Sequence, residues 1–148
     1  MKRTFILCFV STLLYFTSQA QEHKLDNVIT NKDSAHDSNE PIFTSVDIEA
    51  AFPGGVTGWC QFLQKHLRTK VPIKNKAPLG RYTVTVLFIV DKDGTISDIS
   101  IKNDPGYGTA EEVIRVLKKS PKWSPGIQNG KLVKSWRTQS IIFQVEEE

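Results

Sequence analysis

Cysteine is nearly missing from this sequence: two residues in 148, Cys8 and Cys60. With no Cys-x-x-Cys pair, neither a disulfide scaffold nor a thiolate metal site is expected. Histidine is as scarce, at three residues. His23 and His36 lie in a polar stretch without metal-ligand spacing, and His66 closes a helical pattern. Neither a metal nor a cofactor is expected. No apolar run reaches the roughly 18 residues of a membrane-spanning helix, which excludes a polytopic membrane protein. Gly-x-Ser-x-Gly is absent, and Gly106-Tyr107-Gly108 lacks the third glycine and the strand-then-helix setting of a dinucleotide loop. Asp91-x-Asp93-Gly94 begins like a calcium loop, but the positions that need Gly and Glu hold Ile96 and Lys102. With no paired acids, nucleophile or metal set, no catalytic residue is expected, and the protein is not expected to be an enzyme.

What is present has the balance of a globular chain: 39% hydrophobic and 24% charged residues, with a formal net charge of +3. The charge is uneven. Residues 43–145 hold 15 bases against 8 acids, while the chain closes on Glu146-Glu147-Glu148. A basic body between acidic ends attracts acidic partners with strong salt dependence.

The first 20 residues read as an export signal. Lys2-Arg3 supplies the positive start, Thr4 to Phe16 the apolar stretch, and Ser18-Gln19-Ala20 a cleavage site after Ala20. The alternative is an uncleaved anchor, but 13 residues as a helix span only about 20 Å of a roughly 30 Å hydrocarbon core. Residues 21–42 are polar and aperiodic, a flexible linker. Once the signal is removed, Cys60 is the sole cysteine and reads as a small buried helix residue. An exported chain is not expected to bind nucleic acid, and it meets a membrane only if its start stays uncleaved.

The folded part begins at Phe43. Val46, Ile48, Ala50 and Phe52 alternate as in a short extended piece, which Pro53-Gly54-Gly55 breaks. Val56, Trp59, Cys60, Phe62, Leu63, His66 and Leu67 then recur at helical spacing and predict a helix over about 56–69. Residues 81–90 predict a strand that is apolar on both faces near its end, as a central strand requires. Asp91-Lys92-Asp93-Gly94 is a hairpin turn into a second strand at about 95–102. There Ile96 is out of phase with Ile99 and Ile101, which predicts a bulge. Thr109 and Glu112 read as the N-cap and N3 of a capping box. They open a helix with Ala110, Val113, Ile114 and Leu117 on one face, ended by Pro121. A last strand is expected from Lys131 to Val145.

This order predicts an α+β fold, two helices on one face of a three-stranded antiparallel sheet in the order 2-1-3. Both outer strands are then expected to expose unpaired backbone groups, and an extended peptide can complete such an edge by hydrogen bonding. An edge filled by the chain's own residues would leave no place for one. The last strand carries the candidate residues Lys134, Ser135, Trp136, Arg137, Thr138, Gln139, Ser140, Ile142 and Gln144. Proline at Gln139 or Ile141 is expected to abolish pairing there. Self-association of the same edges into a homodimer, as a structural or adaptor module of the cell envelope, is the alternative.

Three motifs occur in order: Phe52-Pro53-Gly54-Gly55, Val90-Asp91-Lys92-Asp93-Gly94-Thr95-Ile96-Ser97-Asp98, and Pro121-Lys122-Trp123-Ser124-Pro125-Gly126 followed by Asn129-Gly130-Lys131. Together they resemble the TonB C-terminal domain family, especially its short energy-transducer members. The resemblance covers about residues 46–145, and the domain is expected to span residues 43–146. It implies a periplasmic module that grips an extended segment of an outer-membrane TonB-dependent transporter by strand addition, through the region Lys134 to Gln144. Full transducers also carry a firm anchor and a long Pro-rich spacer. Here the start looks cleavable, the linker is short, and Thr69-Lys70-Val71-Pro72 stands where a Tyr-Pro pair is common.

Overall fold

The computed structural model describes residues 2–9 and 40–147. The rest of the expected signal and nearly all of the linker lie outside these residues. In chain order the elements are β1 (Lys2–Phe9), α1 (Gly55–His66), α2 (Val71–Lys74), β2 (Gly80–Val90), β3 (Ile96–Asn103), α3 (Thr109–Leu117), β4 (Gly126–Gln128), β5 (Lys131–Val133) and β6 (Ser135–Glu147). The three expected strands form an antiparallel sheet in the expected order, β3-β2-β6. Their center, β2, buries Val84, Val86, Phe88 and Val90 on one side and Ile89 on the other. The predicted bulge is present: the β2–β3 register shifts between Leu87 and Ile89, and Asp98 takes a positive φ of 49°. That extra residue lets Ile96, Ile99 and Ile101 all pack against the core.

Several expectations need correction. The last strand does not start at Lys131. Residues 126–133 fold into a separate two-stranded hairpin, β4–β5, turned by Asn129 and Gly130 at φ 50° and 71°. Adjacent positive φ angles match the right-handed twist of the paired strands, so this turn closes locally. A third helix, the single turn α2, starts at Val71 and carries Pro72 in its first turn, where the missing N–H costs no helical hydrogen bond.

The N-cap of α3 is Gly108, not Thr109, and the helix has no side-chain cap. Thr109 instead donates its hydroxyl to the Gly106 carbonyl at 2.7 Å. Glu112 is freed for a tertiary role: it is 5% exposed, accepts the Arg68 N–H at 2.7 Å and pairs with Arg115. Arg115 also donates to the His66 carbonyl at 2.7 Å. Diversion of the Arg68 N–H to Glu112 ends α1 at His66, three residues before the expected 69. On α3 the buried set is Thr109, Ala110, Glu112, Val113, Val116 and Leu117, with Val116 in the place expected for Ile114.

The core joins Trp59, Leu63 and Leu67 of the first helix region with Ala110, Val113, Val116 and Leu117 of α3, the even-numbered residues of β2, and Ile141 and Phe143 of β6. The three motif segments meet at one end of it. Phe52 and Trp123 stack edge to face at 5.6 Å. Trp123 donates its backbone N–H to the Gly94 carbonyl at 2.8 Å, and Lys122 reaches Asp93 at 2.8 Å. The hydrogen bonds from Lys122 and Thr95 hold the Asp93 carboxyl far below the usual carboxylate range. Gly94, at φ 83°, has no room for a side chain: a Cβ would lie 2.1 Å from the Trp123 carbonyl oxygen. Cys60 is a half-buried free thiol on α1. Residues 43–51 run as a strap over the body, through bridges Phe43 to Ser135, Ile48 to Ile127 and Ala51 to Ser124.

Candidate functional site along the last strand

β6 is 13 residues long and pairs with β2 from Ser135 to Val145 without a register break. Alternation therefore assigns its side chains and backbone groups unambiguously. Ile141 and Phe143 are core residues, so the odd-numbered side chains face the core and the even-numbered ones face the far side of the sheet. The Trp136 N–H donates to the Phe43 carbonyl at 2.9 Å, and the Lys134 carbonyl accepts from the Phe43 N–H at 2.9 Å. The even-numbered residues thus direct N–H and C=O away from β2. Thr138, Ser140, Ile142, Gln144 and Glu146 carry the outer edge.

That edge is not empty in this chain. β1 pairs with it antiparallel, from Lys2 opposite Glu147 to Phe9 opposite Ser140, making a four-stranded sheet β1-β6-β2-β3. The expectation of unpaired groups along the last strand is corrected for the chain as a whole. The occupant consists of residues 2–9, inside the segment expected to be cleaved after Ala20. The proline expectation is corrected too. Gln139 and Ile141 point their N–H groups at β2, so proline there would break the sheet rather than the outer pairing.

The candidate side chains divide along the strand. Lys134 stands just before β6, with its ammonium 3.7 Å from Asp91. Ser135 is 1% exposed and packs under Gly126, where a Cβ would lie 2.6 Å from the Ser135 hydroxyl oxygen. Arg137 and Gln139 turn to the core side and line a cavity of about 100 Å³ with Phe52, Trp59 and Trp123. Arg137 forms an ion pair with Glu49, and among the described residues its buried Nε has no hydrogen-bond partner. Burial pushes its guanidinium pKa below the ordinary value.

Trp136, Thr138, Ser140, Ile142 and Gln144 share the far side. The Ser140 hydroxyl lies 3.3 Å from that of Thr85, and Gln144 accepts from Arg81 Nε at 3.3 Å. Thr138 is exposed and sits between the Phe43 bridge and the last β1 pair.

Four participating residues were not among the candidates. Phe43 closes one end of the edge, Glu49 neutralises Arg137, and Glu146 with Glu147 borders the other end opposite Arg3 and Lys2. The acidic tail was visible in the sequence. Its position beside the edge depends on the β6 register.

Among the described residues no helix is long and apolar enough to cross a membrane, and no group of three metal-ligating side chains gathers. No curated protein matches the sequence. Residues 82–145, from within β2 to Val145 of β6, match the family described as Gram-negative bacterial TonB protein C-terminal. The match spans the central strand, the motif turn and the edge strand.

Proposed function

From the match of residues 82–145 to the TonB C-terminal family, a transport-associated family, we propose that the protein is an exported, nonenzymatic module that binds an extended segment of an outer-membrane transporter along β6. Cleavage after Ala20 removes β1 and opens the outer groups of Thr138, Ser140, Ile142, Gln144 and Glu146. Core residues of α1 and α3 pack with Ile141 and Phe143 on the opposite face, so the incoming strand meets the edge and the far-side residues Trp136, Thr138 and Ser140.

The observation that carries this reading is the eight-residue antiparallel pairing along β6. An edge that accommodates eight residues in unbroken register has the length and straightness to take a strand. Each added backbone bond contributes only about 1 kcal/mol net, so affinity is modest and depends on several bonds together. Exposed edges also favour self-pairing, which makes a homodimer the competing outcome.

The test has two parts. N-terminal sequencing of the protein from the cell envelope is expected to begin at Gln21. Titration of that processed protein with candidate transporter segments is expected to shift and protect the amides of Ser140, Ile142 and Gln144. A retained Met1 with those amides permanently protected rules out the open edge. Protection that grows with protein concentration alone, together with a doubled mass in ultracentrifugation, assigns the edge to self-association.

A further inference from the structure

The core side of β6 carries a second arrangement, separate from its outer edge. Arg137 and Gln139 leave the strand toward the cavity of about 100 Å³ that Phe52, Trp59 and Trp123 wall with their rings. Arg137 is the only charged residue among those lining it. Its guanidinium is partly engaged: Nη1 pairs with Glu49, while the buried Nε has no acceptor among the described residues. Gln139, 8% exposed, lines the same space and adds an amide to it. The start of α1 reaches it too, through Gly55 and Val56. That helix has no side-chain cap and no acid in its first turn, so nothing on it offsets the partial positive charge of its free N–H groups.

We propose that this cavity is a binding site for a carboxymethyl group, its carboxylate on Arg137 Nε and its carbon end among the rings of Phe52, Trp59 and Trp123. A buried donor without an acceptor is destabilising, and a charged donor more so, which a carboxylate on Nε relieves. A cationic ligand meets the Arg137 charge, and a wholly apolar one leaves Nε without an acceptor. An anion with a short carbon end answers both. Size sets the length of that end. An apolar cavity of about 150 Å³ holds a benzene ring, so this one admits about four non-hydrogen atoms, as in acetate or in an aspartate side chain. Neither Arg137 nor Gln139 belongs to the outer edge, so this site stands or falls apart from strand addition.

The test follows the N–H resonances of Arg137 Nε and of the Trp59 and Trp123 indoles in the full chain at neutral pH. Acetate is titrated against chloride at equal ionic strength. Acetate is expected to move all three resonances saturably, with a dissociation constant on the order of 1 mM for about four non-hydrogen atoms. Chloride, and benzoate with its larger ring, are expected to leave them in place. Arg137→Met, and Arg137→Lys, which keeps the cation and loses Nε, should each weaken acetate by about 10-fold or more, read on the two indoles. Glu49→Ala removes the competing acid and should tighten acetate about 2- to 5-fold.

Aspartate blocked as its N-acetyl N-methylamide separates the two sources of the group. Binding as tight as that of acetate assigns the side chain of a peptide, and binding of acetate alone assigns a free short-chain acid. Shifts no larger with acetate and blocked aspartate than with chloride overturn the proposal, as does unchanged acetate affinity in Arg137→Lys. Where the arginine variants do not fold, benzoate moving the three resonances as acetate does overturns it.

Discussion

The Glu112 carboxylate accepts the backbone N–H of Arg68 at 2.7 Å, across 44 residues of sequence. This one hydrogen bond ends α1, orients α3 against it, and takes Glu112 away from capping its own helix. The Arg115 guanidinium completes the arrangement by bonding both Glu112 and the His66 carbonyl. It ties the far end of the helical layer together at one buried acid.

Glu112→Ala is therefore expected to cost about 1–3 kcal/mol in denaturant unfolding, because it leaves a backbone N–H and a guanidinium without their acceptor. Burial alone would raise the Glu112 pKa, but the bonds from Arg115 and Arg68 outweigh it, and the net shift is downward. A carboxyl held below its unfolded value contributes stability that is present above the ordinary glutamate range. That contribution is lost as pH falls through the folded value. Unfolding midpoints measured from neutral pH into acid should fall less steeply in Glu112→Gln than in the parent.

Gly94→Ala should destabilise by more than about 1 kcal/mol, since the position combines a left-handed φ with no space for a methyl group. At φ 83° the added Cβ would sit 2.1 Å from the Trp123 carbonyl oxygen. The hairpin turn and Trp123 would have to move apart, straining the hydrogen bond from the Trp123 N–H to the Gly94 carbonyl. Thermal melting followed by tryptophan fluorescence reads both the stability and the environment of Trp123. By contrast, Gly130→Ala, where a Cβ meets nothing within 4 Å, should cost only the backbone strain.

Proline placed at successive β6 positions should separate folding from partner binding. Ser140→Pro removes a donor from the outer edge and leaves the β2 ladder intact, so in the processed protein it should melt within a few degrees of the parent yet fail to bind a strand. Gln139→Pro removes a donor that bonds β2 and should lower stability by roughly 3 kcal/mol or more. Circular-dichroism melts and amide-shift titrations on the two variants make the comparison.

Arg137 is a charge held at a cost, its side chain 18% exposed and paired with the more exposed Glu49. Arg137→Met, similar in reach and without a charge to desolvate, should be neutral or stabilising, as for other ion pairs replaced by apolar residues. Glu49→Ala should instead destabilise by about 1–3 kcal/mol by leaving the guanidinium without its acceptor. Chemical denaturation of both variants decides whether the pair serves stability.

Much of this architecture was legible in local chemistry. The 81–90 stretch carries apolar residues on both faces, which is sufficient to make it the central strand. The phase slip between Ile96 and Ile99 required a bulge, because only an added residue lets both isoleucines reach one face. Asp91 to Gly94 is a turn by composition, and the three motifs were enough to suggest the family. The last strand was legible as the neighbour of the central one in a 2-1-3 order, but the β1 pairing on its other side was not.

What the residues could not decide alone were the outcomes of competition between distant partners. Thr109 and Glu112 satisfy the capping pattern, but the Arg68 N–H, 44 residues away in sequence, takes the same carboxylate. Which β6 amides face outward depends on a register, and a shift by one residue exchanges every donor between β2 and the edge. Length, hydrophobic phase and turn chemistry are local properties written residue by residue; register, edge occupancy and the destination of a shared hydrogen-bond acceptor exist only once segments far apart in the chain lie side by side.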